Sequence, residues 1–446
     1  VRNVDAATGL TFEGHFDEGV RIDYMSGLDV LDVTLNNVNV QGGNNIDISH
    51  NAASVELTSD GVRNIIDGSA FGEFLTDVTI DGDADLLVTT PIDFRTDFTA
   101  TIDAGAANGN IDVEVVPHNH VAFTGGAGDD ALEVTGLFRS GENEIEIDAA
   151  MGAGDNSITI NPYYLNNGRE MEVAQGPSSY FTYVMPGSTF SAEGGALTLN
   201  LPDGFGTVDI TNVADVSGID NVVFEGFTGL QLTADQLQAI GIASFSTEDF
   251  VNADGQLAIV DVDSTTDLDL SSIENGDLVA VRTVDGADVT LTSSTVLGNL
   301  KSGVGAVEIL VESGDASLTM TADQFQQIDG DAVIYTTGLG FTPPGNNPED
   351  NTPFEGTLTL TDVAEDEAIA LNNVDVDGVT VEVGAAGETF VATDEFAVTD
   401  GGASDETVTL EVSGEADLTE YDDVSGVDHL VLKAGSVLTA NETDLE

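Results

Sequence analysis

The chain has 446 residues, of which 81 are acidic and 9 are basic, and its formal net charge is −72. So few cations cannot form the basic patch that a nucleic-acid partner requires, and the absence of cysteine excludes disulfides and thiolate metal sites. A compact chain with this surplus of carboxylates repels itself, so it needs bound or condensed cations: calcium, concentrated salt or a basic partner.

The apolar content indicates that the chain folds in spite of its charge. Hydrophobic residues make up 41% of it and its mean hydropathy is +0.05, whereas a disordered acidic chain would lack this content. No run of about 18 apolar residues occurs, so no transmembrane helix is predicted. No signal peptide follows Val1, and we expect a mature or trimmed product that continues beyond Glu446.

Short runs of alternating apolar and polar residues dominate the chain from its start, as at 30–35, 111–115 and 144–147. Period-two alternation with β-branched residues predicts strands, and the intervening Gly, Asp and Asn residues predict turns. We therefore predict an all-β chain, built as an elongated parallel β-solenoid of irregular repeats with short capped helical turns. A string of β-sandwich domains is the alternative.

The first acidic cluster along the chain consists of Asp81, Asp83 and Asp85, which are candidate metal ligands. Their spacing resembles the start of an EF-hand loop. Leu86 and Ile92, however, occupy the positions where that loop requires glycine and glutamate. An EF-hand is therefore excluded, and the choice lies between a looser carboxylate site and simple solvation.

Next comes a pair of histidines, His118 and His120, which lie two residues apart. They share one face if the segment is extended, and together they could bind a transition metal. The sequence suggests no third ligand. A pair of surface side chains without a metal is the alternative.

The sharpest motif is the glycine-rich turn at 125–133, which contains Gly126, Gly128 and Asp130. It fits the pattern Gly-Gly-x-Gly-x-Asp-x-apolar-x at each defined position. In that pattern, backbone carbonyls and the aspartate carboxylate form an oxygen cage for calcium. An ordinary glycine turn is the alternative.

A degenerate copy of this motif at 151–158 contains Gly154, and Asn156 stands where the ligand aspartate is expected. Asparagine can still offer a carbonyl oxygen to a cation. The copies are 151 − 125 = 26 residues apart. Because this is not a multiple of nine, we expect neither a regular β-roll nor a site shared between the copies.

Three segments in the later part of the chain predict short helices. In each, a threonine is followed three residues later by Gln or Glu, which is the pattern of a capping box. The threonines are Thr233, Thr321 and Thr439. Residues 57–60 are a weaker relative of the same pattern.

Composition divides the chain into five predicted segments. They are an acidic β-solenoid with the glycine-rich turn (1–160), an irregular excursion containing Tyr and Pro (161–200), β repeats with capped short helices (201–340), a proline-rich linker (341–353) and a separate, truncated C-terminal β module (354–446).

The glycine-rich turn, together with the Thr-, Val-, Ala- and Asp-rich repeats, resembles RTX-type calcium-binding proteins and, more broadly, bacterial surface-layer proteins. The resemblance implies calcium-dependent folding outside the cell, a position on the cell surface and a lattice or adhesive function. By residue, it carries over Gly126, Gly128 and Asp130. Tandem nonapeptides are lacking, which leaves the number of calcium ions open.

We therefore expect an extracellular, calcium-stabilised structural protein, a self-associating subunit of a surface layer or filament. We do not expect an enzyme, because no nucleophile elbow, phosphate-binding loop or dinucleotide fingerprint occurs. A cell-surface polysaccharide is a further candidate partner. The alternatives are a calcium-dependent adhesin, a polysaccharide-active β-helix enzyme using paired carboxylates, and a halophile surface protein whose acidity is an adaptation to salt.

Overall fold

In the residues that it describes, the computed structural model is nearly all β, and its parallel sheets form a β-solenoid. The predicted fold class is therefore confirmed. The structure describes residues 2–4, 9–16, 20–24, 30–40, 46–49, 52–66, 75–94, 99–117, 120–135, 143–161, 165–166, 169–170, 181–202, 206–224, 228–241, 245–247, 257–266, 268–270, 279–283, 288–291, 308–310, 317–327, 333–335, 357–365, 368–371, 378–384, 389–392, 397–399, 407–419 and 427–440.

The chain divides into two compact units, the first made of Val1–Gln231 with Ala239–Gly255 and the second of Leu232–Gln238 with Gln256–Glu446. The strands up to residue 247 are β1 (Arg2–Val4), β2 (Leu10–Phe16), β3 (Val20–Tyr24), β4 (Val30–Val40), β5 (Ile46–Ser49), β6 (Ser54–Asp60), β7 (Arg63–Ile66), β8 (Asp77–Gly82), β9 (Asp85–Val88), β10 (Ile92–Asp93), β11 (Ala100–Ala107), β12 (Ile111–Val116), β13 (His120–Thr124), β14 (Ala131–Thr135), β15 (Asn143–Ala150), β16 (Asn156–Asn161), β17 (Leu165–Asn166), β18 (Arg169–Glu170), β19 (Phe181–Val184), β20 (Thr189–Ser191), β21 (Leu197–Leu201), β22 (Gly206–Asp209), β23 (Asn221–Phe224), β24 (Thr228–Thr233) and β25 (Phe245–Thr247).

Two short helices occur among the described residues, α1 (Ala234–Ile240) and α2 (Ala322–Gln326). The strands after residue 256 are β26 (Leu257–Val262), β27 (Val279–Thr283), β28 (Val289–Thr290), β29 (Glu308–Leu310), β30 (Ser317–Thr321), β31 (Val333–Tyr335), β32 (Thr357–Thr361), β33 (Ala368–Ala370), β34 (Gly378–Val383), β35 (Thr389–Val391), β36 (Ala397–Thr399), β37 (Thr407–Val412), β38 (Glu415–Asp417), β39 (His429–Leu432) and β40 (Val437–Thr439).

In the first unit, strands from successive coils stack in parallel. One stack runs β2–β4–β6–β8–β11–β13–β15–β20. A second runs β7–β9–β12–β14–β16–β21–β23–β25. The pair β17–β18 is antiparallel and lies within the predicted irregular excursion at 161–200. Because parallel strands need long connections, each coil must turn several corners before it pairs again.

The core of the first unit consists of apolar columns, since the register places one residue of each coil directly beside its counterpart in the next. Period-two alternation along each strand turns these residues inward. One buried column is formed by Leu31, Val55, Val78, Ile102, Phe123, Ala149 and Phe190. Another is formed by Val113, Leu132, Ile158, Leu199 and Val222.

The second unit is built on the same plan. Its longest stack among the described residues runs β28–β30–β32–β34–β37–β39, and a shorter one runs β35–β38–β40. Strand β32 pairs in register with β30, so the sheet is continuous from one side of residues 341–353 to the other. Those proline-rich residues lie outside the described residues.

The capping boxes predicted for two of the three helices are confirmed. At α2, the Gln324 backbone N–H donates to Thr321 Oγ1 at 3.1 Å, and the Thr321 N–H donates to Gln324 Oε1 at 2.9 Å. Thr233 and Gln236 make the same reciprocal pair at α1. In the third segment, Thr439 ends β40 and residues 441–446 are outside the described residues. The weaker relative at 57–60 is strand, not helix, because it belongs to β6.

Among the described residues, none of the helices has the length and apolarity needed to cross a membrane.

One asparagine side chain inside the solenoid forms hydrogen bonds with backbone groups that strand pairing leaves without a partner. Asn64 is fully buried. Its Oδ1 accepts the Val38 backbone N–H of the preceding coil at 2.7 Å, and its Nδ2 donates to Ser59 Oγ at 2.8 Å and to the Asp60 carbonyl at 3.0 Å. A buried side chain that satisfies a backbone donor is costly to remove, because the donor is left without a partner.

We expect Asn64→Ala to lower the free energy of unfolding by about 2 kcal/mol, since it leaves the Val38 N–H unpaired in the interior. Urea denaturation followed by circular dichroism measures the change. Thr79→Ala, at an exposed position of β8, is the control and should change stability by less than about 0.5 kcal/mol. Equal stability of the two variants would contradict this account of Asn64.

Candidate metal centre

The two copies of the glycine-rich motif lie directly against each other at one corner of the solenoid. The backbone N–H of Asp130 donates to Asn156 Oδ1 at 2.8 Å across a separation of 26 residues. The 26 residues between the copies are the length of one coil here, so the copies lie on neighbouring coils. The expectation that they share no metal site stays a prediction. In-register residues on neighbouring coils lie between 19 and 41 positions apart, so the spacing is irregular along the sequence but regular in space.

Asp130 is a buried carboxylate, 1% exposed, that joins neighbouring coils. Its Oδ1 accepts the Ile111 N–H at 2.9 Å and its Oδ2 accepts the Gly126 N–H at 2.7 Å. Burial raises the pKa of Asp130 to about 6; the two N–H donors act against this rise, and the nearby Asp129 charge adds to it. Asp130 thus serves as an internal acceptor for the backbone of its own coil and of the preceding one.

Asn156 fills the corresponding position one coil later and is 2% exposed. Its Nδ2 faces the carbonyl oxygens of Gly152, Ala153 and Gly154 at 3.4, 3.2 and 3.0 Å. Carbonyls that converge in this way could ligate a cation, and here they surround an amide nitrogen. In this geometry the Asn156 amide, and not a cation, faces the converging carbonyl oxygens of the second copy.

Close coil stacking explains the glycines of the motif. A Cβ atom on Gly126 would overlap the carbonyl oxygen of Ala107 in the preceding coil. A Cβ atom on Gly154 would overlap that of Gly128, and Gly154 also has a positive φ of 91°. The corner therefore has a structural explanation, and calcium bound by Gly126, Gly128, Asp130, Gly154 and Asn156 stays a prediction.

At the same corner, a column of polar side chains follows the coils. Each member offers one oxygen to the backbone N–H of the next coil: Asp85 Oδ1 to Asn110 at 3.0 Å, Asn110 Oδ1 to Asp129 at 2.9 Å, and Asp129 Oδ1 to Asp155 at 2.9 Å. We call these four residues the corner column. Because the bonds use one oxygen of each carboxylate, the column aligns acidic groups along the coil axis.

The structure separates the three acids of the first predicted cluster. Asp81 lies exposed on β8, Asp83 accepts the Asn108 Nδ2 at 2.8 Å, and Asp85 belongs to the corner column. Within the described residues, their carboxylates do not form a group whose ligand atoms all lie within 4.8 Å. Asp81, Asp83 and Asp85 as joint ligands of one metal therefore stay a prediction without geometric support.

Carboxylates also lie directly opposite one another on neighbouring coils. Glu114 of β12 is in register with Glu133 of β14. The pKa of Glu114 is raised by burial and by the Glu133 charge, against the lowering effect of its hydrogen bond from Thr135 Oγ1. The pKa of Asp112 is likewise raised, first by burial and then by Glu133, with Arg63 acting in the opposite direction.

A different cluster forms around His120, one of the two predicted histidines. In register with His120 lies Glu146 of β15, and Asp148 is two residues further along that strand. Ligand atoms of these three side chains all lie within 4.8 Å of one another. The His120 Nε2 is 3.1 Å from Asp148 Oδ2, and its Nδ1 is 3.9 Å from Glu146 Oε2. His118 lies outside the described residues.

Sequence reasoning missed Glu146 and Asp148 as partners of His120. The signal was present, since they form an acidic i, i+2 pair on one strand face. Their separation from His120 in the sequence conceals the contact, because residues 120 and 146 become neighbours only after the chain completes one coil.

Comparison with known proteins gives no relative: the chain matches no protein-family model, no curated protein and no solved structure.

Burial of Asp130 predicts a stability that depends on pH. Because its pKa rises from 3.8 in the ordinary state to about 6 in the fold, the folded state holds the proton more tightly than the unfolded state. The stabilising effect is complete below about pH 4 and is lost as pH rises through about 6, which amounts to roughly 2–3 kcal/mol.

The wild type and Asp130→Asn should therefore differ in the slope of unfolding free energy against pH over this window, with the steeper fall in the wild type. Urea titrations at several pH values measure the slope. Asp77→Asn is the control, because Asp77 is exposed on β8 and its in-register neighbours, Ser54 and Thr101, are uncharged. Identical slopes in wild type and Asp130→Asn would contradict the assignment.

Proposed function

We propose that this chain is a calcium-stabilised structural protein of the cell exterior, a self-associating subunit of a surface layer or filament. The observation that carries the proposal is the in-register stacking of carboxylates on neighbouring coils. Besides Glu114 with Glu133, the register pairs Asp32 with Glu56. In the second unit it pairs Glu382 with Glu411.

Stacked carboxylates need a counter-charge. Neighbouring strands lie about 4.8 Å apart, and like charges directly opposite each other destabilise a sheet. One pair is relieved from within the chain, because Lys433 Nζ lies 2.6 Å from Glu411 Oε1, which raises the pKa of Lys433. The 9 basic residues can neutralise at most 9 of the 81 acidic ones in this way. External cations must supply the remaining charge.

Calcium fits the chemistry of these surfaces. It takes oxygen ligands from carboxylates and carbonyls in flexible geometry, and aligned carboxylates offer such oxygens on successive coils. The resemblance of residues 125–133 to an RTX turn points in the same direction. A halophile protein with salt-adapted acidity would show the same stacking, so the type of cation decides between the two functions.

Self-association is supported by the open ends of the stacks. Within the described residues, β2 pairs only with β4 and β39 only with β37. Leu430 and Leu432 of β39 continue the columns of the buried Leu410 and Val412, yet they are 37% and 51% exposed. Open parallel edges accept further parallel strands.

The occupant that we propose for the β39 edge is the β2 edge of a second copy. Its Phe12 continues the column of Leu35 but is only 6% exposed, so the β2 edge offers a further strand its backbone hydrogen-bonding groups rather than an uncovered apolar side chain. Such a contact joins different surfaces of the two copies, and heterologous contacts of this kind generate filaments or open arrays. An adhesin would use the same edge for a different protein, and a polysaccharide-active enzyme would not need it.

Glu114→Gln tests the electrostatic part of the proposal. The amide oxygen can still accept from Thr135, whereas the repulsion from Glu133 is removed. In dilute buffer with a chelator, the variant should be more stable than the wild type by about 0.5 kcal/mol, and millimolar calcium should close this gap. Thermal unfolding followed by circular dichroism measures both values.

The control is Asp77→Asn, since the in-register neighbours of Asp77 are the uncharged Ser54 and Thr101. It should leave the response to calcium unchanged. Magnesium and sodium at equal ionic strength should not replace calcium. If the wild type folds only in molar salt and its folding does not respond to calcium, the proposal is wrong and salt adaptation is favoured.

For self-association, we expect the double variant Leu430→Lys, Leu432→Lys to assemble more weakly than the wild type, with a dissociation constant more than about tenfold higher. Lysine side chains at these positions should leave β39 folded but prevent a further coil from packing closely against it without water. Sedimentation velocity over a range of concentrations measures the effect. Val62→Lys is the control, because Val62 is exposed between β6 and β7. Equal assembly of both variants would show that the β39 edge is not the contact.

A further inference from the structure

We propose that His120, Glu146 and Asp148 form a binding site for a zinc-class transition metal, separate from any calcium bound by the stacked carboxylates of neighbouring coils. The three side chains come from neighbouring strands, β13 and β15, whose register fixes them on one face. Their ligand atoms all lie within 4.8 Å of one another. The site is independent of self-association.

The distances suit a small cation. In a tetrahedral site with bonds of about 2.0–2.1 Å, two ligand atoms lie roughly 3.3 Å apart. The His120 Nε2 is 3.1 Å from Asp148 Oδ2. Glu146 Oε2 is 3.9 Å from His120 Nδ1, so the Glu146 side chain, which is 32% exposed, must turn towards Nε2 to complete the site.

Threonines from the two flanking coils hold the ligands in place. Thr99 Oγ1 lies 3.0 Å from His120 Nδ1, which leaves Nε2 to face Asp148. Thr189 Oγ1 donates to Asp148 Oδ1 at 2.9 Å, which leaves Oδ2 to face His120. Partners of this kind on the second ring nitrogen and the second carboxylate oxygen orient metal ligands in proteins.

The imidazole sets the class of metal. Calcium and magnesium select oxygen ligands, whereas an imidazole nitrogen with two carboxylates suits zinc, cobalt, nickel or copper. Three protein ligands leave a coordination position for water. The ligands are 23%, 32% and 38% exposed, so an ion can enter from solvent.

The experiment titrates zinc into the full chain, freed of metal, in the presence of millimolar calcium to saturate sites that consist of carboxylates alone. Isothermal titration calorimetry should give one zinc ion per chain. Cobalt should give the visible absorption of a site with nitrogen and oxygen ligands. His120→Gln should remove this binding, and Asp148→Asn should weaken it more than about tenfold.

The matched control is His429→Gln on the exposed strand β39, which should bind zinc as the wild type does. His120→Lys separates a metal site from an ion pair, because it keeps a positive charge between the carboxylates but has no imidazole. Zinc should raise the melting temperature of the wild type and not that of His120→Lys. Zinc binding that is the same in wild type and His120→Gln, or no saturable binding in either, would overturn the proposal.

Discussion

Parallel, in-register stacking of coils is the constraint on which the rest of this structure depends. Each residue lies beside its counterpart in the preceding coil, so Leu31 meets Val55 inside and Glu114 meets Glu133 outside. The same register therefore produces apolar columns that stabilise the fold and carboxylate columns that oppose it. Our proposal that external cations stabilise the chain rests on that register together with the shortage of basic residues.

The glycine-rich corner shows how one motif can serve two physical purposes. In the RTX-like interpretation, its carbonyls and aspartate surround calcium. In the structure, Asp130 accepts two backbone N–H groups and Asn156 places an amide nitrogen among three carbonyls. Both arrangements need glycine, because coils must approach closely and the backbone must turn sharply. The motif by itself therefore identifies a stacked corner more securely than it identifies a metal.

Much of the fold could be predicted from local patterns. Alternation along single strands predicted the β structure, and Thr321 with Gln324 predicted a capped helix, because both signals act over a few residues. The pattern failed at 57–60, where pairing of β6 with β4 and β8 outweighs a weak capping signal. The contacts of His120 could not be predicted, since they depend on a coil length that the sequence does not display.

The sequence by itself determined the all-β solenoid class, the capped helices and a surface that cannot neutralise its own charge. Those properties depend on composition and on neighbours within a few residues. Tertiary structure alone decided that Asn156 contacts Asp130, that Glu133 faces Glu114 and that Glu146 and Asp148 join His120. The physical reason is that coil lengths, which vary between 19 and 41 residues, set which side chains meet, and hydrogen bonding between distant strands fixes those lengths.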